Sequence, residues 1–194
     1  MSPHSRITRT TRETNIVLEL EIDGSGKTAI DSGIPFLDHM LNLFAVHGFF
    51  DLKLRARGDL EIDDHHTVED IGICLGQALR QALEERTNFR RFGFARVPMD
   101  EALAQVTVDL SNRPYLVCNV ILAPGVGRFD PQLVKEFWRA VAQHGGITLH
   151  IETPYGENTH HLLEAIFKAA GRALDEATAV DPRRQGVPST KGLL

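Results

Sequence analysis

The strongest constraint on this chain is an internal duplication. Residues 36–48 read FLDHMLNLFAVHG and residues 133–145 read LVKEFWRAVAQHG. His47 and Gly48 recur 97 residues later as His144 and Gly145. At the same offset Leu37, Met40, Leu41 and Phe44 recur as Val134, Phe137, Trp138 and Val141. Each set falls at i, i+3, i+4, i+7, which is one apolar face of a helix. Each helix is expected to end with His in its last turn, where the dipole favours a cation, and with Gly48 or Gly145 as a left-handed cap. A second matched pair begins at His65 (HHTVED) and, 95 residues on, at His160 (HHLLEA). Val68, Ile71, Ala78, Leu79 and Ala82 then match Leu163, Ile166, Ala173, Leu174 and Ala177. Both stretches predict long amphipathic helices, opening after the N-cap residues Asp63-Asp64 and Asn158-Thr159.

Strands fill the intervals. Ile16, Leu18, Leu20 and Ile22 alternate with polar residues, as a half-buried strand does. Residues 102–110 alternate similarly, 115–122 form an apolar run, and 51–56 and 147–151 each follow the first helix of their half. The expected architecture is α+β: two similar β-β-α-β-α halves from one duplication, with sheets covered by helices. The halves are read as 1–90 and 91–180, with a junction over 86–97. The tail, 181–194, is Pro/Gly/Arg-rich and reads as irregular.

With 194 residues and 42% hydrophobic content, such a fold can bury an ordinary core. A net charge of -5 argues against nucleic acid as a partner, although a local Arg/Lys cluster can still hold one phosphate. The leading residues are polar and basic, and no run of roughly 18 apolar residues occurs, so neither a signal peptide nor a membrane span is expected. Cys74 and Cys118 read as reduced core thiols of a cytoplasmic protein.

The histidines carry the functional signal. His65-His66 and His160-His161 are adjacent pairs, about 100° apart on a helix, so one apolar stripe cannot bury both members. Glu69 and Glu164 lie three and four residues on, placing imidazole and carboxylate on neighbouring helix surface as metal ligation requires. In the first turn of a helix the dipole should keep the rings neutral, the form that binds metal. One HHxxE is weak; two at equivalent places in a duplicated fold are strong. His39, and its repeat partner Glu136, complete two parallel sets: His39, His65, His66, Glu69 and Glu136, His160, His161, Glu164. A nitrogen-rich, thiolate-free donor set suits Mn, Fe, Zn, Co or Ni. A binuclear hydrolase, a metal-storage assembly and, on an all-α frame, a di-iron bundle use related ligands.

PFLDHML, DDHHTVEDIGICLGQAL, VPMDEAL, DLSNRPYL, ITLHI, GENTHHLLEAIFKA and PSTKGLL, in this order along nearly the whole chain, resemble the imidazoleglycerol-phosphate dehydratases. The resemblance implies two manganese ions per active site, sites built where subunits meet, and a cubic homo-oligomer of about 24 chains. It implies His39, His65, His66, Glu69, His160, His161 and Glu164 as metal ligands. Glu136 departs from members that carry His there; it becomes a carboxylate candidate, with His150 as the fallback. Glu13, Arg91, Arg113, Lys168, Ser189 and Lys191 are implied to contact substrate, and Arg, Lys and Ser are the side chains suited to a phosphate dianion.

The implied reaction removes water from imidazoleglycerol phosphate to give imidazoleacetol phosphate, a step of histidine biosynthesis. No carbonyl activates the C–H to be broken, so the ring must take up the electrons. Held as a metal-bound imidazolate, the ring could expel the side-chain hydroxyl; proton loss then gives an enol that becomes the ketone. Glu13 and either Glu69 or Glu164 are the expected proton carriers.

Overall fold

The computed structural model describes residues 3–84, 86–120 and 127–191. In the first half β1 (His4–Thr10), β2 (Thr14–Glu21) and β3 (Thr28–Asp31) precede α1 (Pro35–His47), β4 (Asp51–Gly58) and α2 (His65–Leu83). The second half repeats the order with β5 (Phe92–Met99), β6 (Ala102–Asp109), β7 (Tyr115–Asn119), α3 (Leu133–Gly145), β8 (Thr148–Tyr155) and α4 (Thr159–Thr178). The α+β class and the duplicated halves are as the sequence predicts, each half has one leading strand more than expected, β1 and β5, and β3 falls on a stretch that no sequence pattern marks as a strand. β5 takes up much of the stretch 86–97, which reads from sequence as a junction, and His4 opens a strand. Residues 121 and 122, expected to end the seventh strand, lie outside the described residues.

Each half forms one four-stranded sheet with the same order, β1-β2-β4-β3 and β5-β6-β8-β7. The last pair is parallel in both, β3 with β4 and β7 with β8, because a helix crosses over between them. Ile16, Leu18 and Leu20 on β2, and Val106 and Val108 on β6, turn inward to the helices and are buried.

The halves join through their helices. α1 packs beside α4 and α2 beside α3, so the first helix of each half pairs with the second helix of the other. Both pairings depend on glycine. A Cβ at Gly76 would stand 2.7 Å from the Val141 carbonyl oxygen and 2.9 Å from the Gly145 nitrogen. A Cβ at Gly171, the repeat partner of Gly76, would strike the Phe44 carbonyl, and Phe44 is the repeat partner of Val141. Between the pairs Trp138 is fully buried, its ring 4.9 Å from Phe137, 5.1 Å from Phe167 and 6.0 Å from Phe44.

This packing corrects the expected helix caps. Gly48 has φ -94 and Gly145 lies within α3, so neither is left-handed. The left-handed residues stand one position later, at Phe49 (φ 56) and Gly146 (φ 66). Both glycines sit in close packing: a Cβ at Gly48 would meet the Phe50 ring at 2.5 Å and the Gly171 carbonyl of α4 at 2.8 Å, and one at Gly145 would meet Ile147 Cδ1 at 2.8 Å and the Gly76 carbonyl of α2 at 3.4 Å.

Candidate active site

The register of α1 against α4 sets the site. Phe44 and Gly48 approach Gly171, so the two helices run parallel with their N-termini at the same end. His39, one turn into α1, therefore meets the first turns of α4. Its Nε2 lies 3.0 Å from Glu164 Oε1, and His160 Nε2 lies 3.0 Å from the same oxygen. The ligand atoms of His39, His160 and Glu164 all fall within 4.8 Å of one another. Two imidazole nitrogens converging on one carboxylate oxygen form a donor set that a divalent metal fits. Glu164 is buried, and Lys168 Nζ donates to its Oε2 at 2.7 Å. Burial alone would push this carboxyl up; hydrogen bonds from Lys168, His39 and His160 outweigh it and take the pKa down to about 2.

The structure thus regroups the sets read from sequence: His39 joins the histidine motif of the other half. The first-half motif on α2 brings His65 Nε2 within 3.6 Å of Glu69 Oε2. Glu136 lies on α3, the partner of α2, where its Oε2 pairs with Arg139 Nη2. His150 is exposed on β8 between the inward Leu149 and Ile151, so it faces away from the helices that carry Glu136 and the histidine motifs.

The second histidine of each motif is held by a carboxylate. His66 Nδ1 lies 3.0 Å from Asp59 Oδ2 and 3.9 Å from Glu13 Oε2. His161 Nδ1 lies 2.7 Å from Glu101 Oε2, and Glu101 Oε1 also accepts from the backbone nitrogens of Glu157 and Asn158. Asn158 in turn caps α4, accepting from the backbone nitrogens of His160 and His161. A carboxylate on Nδ1 orients the ring and turns Nε2 outward, as outer-shell partners of metal-bound histidines do. It also raises the pKa of both rings, chiefly through the hydrogen bond to Asp59 for His66 and to Glu101 for His161. These hydrogen bonds act against the helix dipole, which by itself favours the neutral rings. Asp59 and Glu101 escape sequence spacing because they reach the motifs through the turn after β4 and the β5–β6 hairpin. Glu101 could have been flagged through its place in VPMDEAL.

The remaining residues divide among three places. Glu13 is exposed in the β1–β2 hairpin, near His66, and Lys168 belongs to the Glu164 cluster. Arg91 and Arg113 lie elsewhere, around Asp109 at the end of β6. Arg91 Nε and Nη2 donate to the two oxygens of Asp109 at 2.7 and 3.2 Å, and Arg113 Nη2 lies 3.5 Å from Oδ2. Arg91 Nη1 donates to the Pro188 carbonyl at 2.9 Å, tying down the tail that carries Ser189 and Lys191. Lys191 donates its backbone N–H to Ser189 Oγ at 3.2 Å, which turns the tail end. The backbone N–H of Arg91 donates to the Ala177 carbonyl, so this basic group sits at the C-terminal end of α4, opposite the histidine cluster.

Comparison with known proteins places the chain in a family. A family model described as imidazoleglycerol-phosphate dehydratase matches residues 32–174. The imidazoleglycerol-phosphate dehydratase of Syntrophobacter fumaroxidans is 64% identical over 189 residues, covering 97% of this chain and 96% of that one. A Geobacillus sp. relative of the same name is 58% identical and is covered end to end, as is this chain. Among solved structures, the Staphylococcus aureus imidazoleglycerol-phosphate dehydratase superposes with a TM-score of 0.84 at 42% identity, covering 92% of this chain and 99% of that chain. The Pyrococcus furiosus IGPD, in complex with (S)-C348, gives 0.83 at 43% identity, covering 97% of this chain and 100% of that chain. The chain belongs to the imidazoleglycerol-phosphate dehydratase family, the hydro-lyases of histidine biosynthesis.

Proposed function

We propose that this enzyme dehydrates imidazoleglycerol phosphate to imidazoleacetol phosphate with two manganese ions per active site. The observation that carries the reading is the convergence of His39, His160 and Glu164 from two halves of the chain. Glu136, His65, His66, Glu69 and His161 complete the ligand set. Manganese bound there supplies Lewis-acid polarisation of the substrate's imidazole ring.

The protein's own groups then have distinct tasks. Glu164 turns Oε1 toward both imidazoles and accepts from Lys168 through Oε2, which suits it to serve as an anionic ligand rather than a proton carrier. Glu13 is exposed and 3.9 Å from His66, which suits it to move the protons of the leaving hydroxyl and of the neighbouring carbon. Glu69, partly exposed beside His65, is the second candidate for that role. The substrate phosphate belongs with Arg91, Arg113, Ser189 and Lys191, while Lys168 serves the ring end beside Glu164.

One chain cannot supply both ends of such a site. His160 and Ala177 are 17 residues apart on α4, roughly 26 Å at 1.5 Å per residue. A glycerol chain does not bridge that span, so the basic group of one subunit must serve the metal cluster of another. Exposed Phe92, Phe94, Tyr115 and Tyr155 are surface that such an assembly would cover. An assembly of about 24 chains meets this need with closed symmetry. Two free thiols, Cys74 and Cys118, suit a reducing cytoplasm. Among the described residues, no helix is long and apolar enough to cross a membrane.

The test is an assay of chelated protein with imidazoleglycerol phosphate, before and after manganese is restored, following ketone and inorganic phosphate together. Manganese-dependent ketone without phosphate is the expected result. Phosphate release, or no product with manganese bound, refutes the proposal. Glu13→Gln should lower turnover by about 10²-fold or more with metal still bound.

A further inference from the structure

Asp109 holds no place in the chemistry described above, yet both arginines of the phosphate end converge on it. Its carboxylate, 19% exposed, takes Nε and Nη2 of Arg91 side-on and stands 3.5 Å from Arg113 Nη2. The side-on pair fixes the guanidinium plane, since a planar fork bound at two points cannot rotate. That plane aims Nη1 at the Pro188 carbonyl. Pro188 is buried, and Ser189 is the next residue. The Arg91 backbone is held as firmly. Its φ is 78, unfavourable for an L-residue, and two hydrogen bonds keep it there: Arg91 N–H to the Ala177 carbonyl, and Leu110 N–H to the Arg91 carbonyl. A strained residue secured on both sides and through its side chain is a fixed post, and the tail is fastened to it.

We infer that Asp109 is a positioning residue for phosphate recognition: it locks Arg91 so that Nη1 latches the tail at Pro188, which presents Ser189 and Lys191, and it orients Arg113 beside them. This rests on the reading that Arg91, Arg113, Ser189 and Lys191 hold the substrate phosphate. Arg113 is the more exposed guanidinium, at 65% against 14% for Arg91. Arg113 therefore offers free N–H donors to an anion, while three of the five donors of Arg91 are already used within the chain.

The inference separates Asp109 from a merely stabilising residue. Asp109→Asn keeps the size of the side chain and removes the charge that binds both arginines. In the manganese-loaded enzyme it should raise KM for imidazoleglycerol phosphate by about tenfold or more, the scale of one lost charge-assisted hydrogen bond, with kcat within about twofold. Inhibition by inorganic phosphate should weaken in parallel, and protease should cut the tail after Pro188 faster. Asp109→Glu, which keeps the charge, should recover part of the KM. An Asp109→Asn enzyme with unchanged KM and an equally protected tail overturns the inference, as does an equal fall in kcat with KM unmoved. If Asp109→Asn does not fold, Asp109→Glu carries the same comparison: a KM raised through a longer, displaced carboxylate supports the latch, and an unmoved KM overturns it. Arg113→Ala and Lys191→Ala test the underlying reading on their own. If neither raises KM, the phosphate does not bind there. If both do and Asp109→Asn does not, only the positioning role fails.

Discussion

Glu164→Gln should destabilise the metal-free protein by an amount that the structure fixes. Glu164 is 10% exposed and touches three cationic or polarisable partners: His39 and His160 at 3.0 Å, and Lys168 at 2.7 Å. Its carboxyl falls from the ordinary 4.5 to about 2 on folding, against the opposing pull of burial. A difference of 2.5 units corresponds to about 3 kcal/mol. A depressed carboxylate stabilises the fold fully above its unfolded value of 4.5, and that stability is lost as pH falls through the folded value near 2. Glutamine keeps the shape, has no charge to lose, and strands the Lys168 ammonium. Urea unfolding of chelated wild type and variant, at one protomer concentration, should differ by about 3 kcal/mol at pH 7 and by about half of that or less at pH 3. Groups that titrate alike in both proteins cancel from this difference. A gap below about 1 kcal/mol at pH 7, or one that persists unchanged on acidification, would refute the reasoning.

Three further outcomes follow from the packing and the ring contacts. Gly76→Ala places a methyl 2.7 Å from a backbone carbonyl of α3; overpacking of about 1–3 kcal/mol, less about 1 kcal/mol of helix propensity, should leave a net loss in chemical denaturation, and a stabilised variant would show that α2 and α3 can separate freely. In the metal-free protein the His161 ring should titrate above 6.5 by NMR and drop back toward 6.5 in Glu101→Gln; its contribution to stability is present below 6.5 and fades as pH rises through the raised folded value, and an unmoved midpoint in the variant removes Glu101 as the cause. His39→Ala should weaken manganese binding, read by calorimetry, by at least the 10- to 100-fold typical of a lost outer-shell partner, and full affinity would mean that the cross-half cluster holds no metal.

How much of this was legible without coordinates depends on how each residue was placed. The four helices follow from apolar positions at 3.6-residue spacing, and β2 and β6 from strict alternation. β5 was hidden because its inward residues are Gly93 and Ala95 while Phe92 and Phe94 face out. That inversion exists because α4 lies so close that a Cβ at Gly93 would strike the Ala173 carbonyl. β1 was hidden for a different reason: its inward face carries Ser5 and Arg9, and Arg9 pairs with Asp70 of α2 at 2.9 Å instead of packing apolar surface.

The sequence by itself determined the duplication, the helix-borne HHxxE motifs and the residue types they offer to a metal, because helical period and local spacing are properties of the chain alone. Only the tertiary structure decided that His39 lies beside the motif of the other half, since that depends on α1 running parallel to α4 in a register set by Gly171 against Phe44. It likewise decided that Asp59 and Glu101 hold the second histidines, and that Asp109 gathers the arginines and the tail. These partners lie in turns, hairpins and strand ends, where no period marks a residue and contact is settled by how the elements pack.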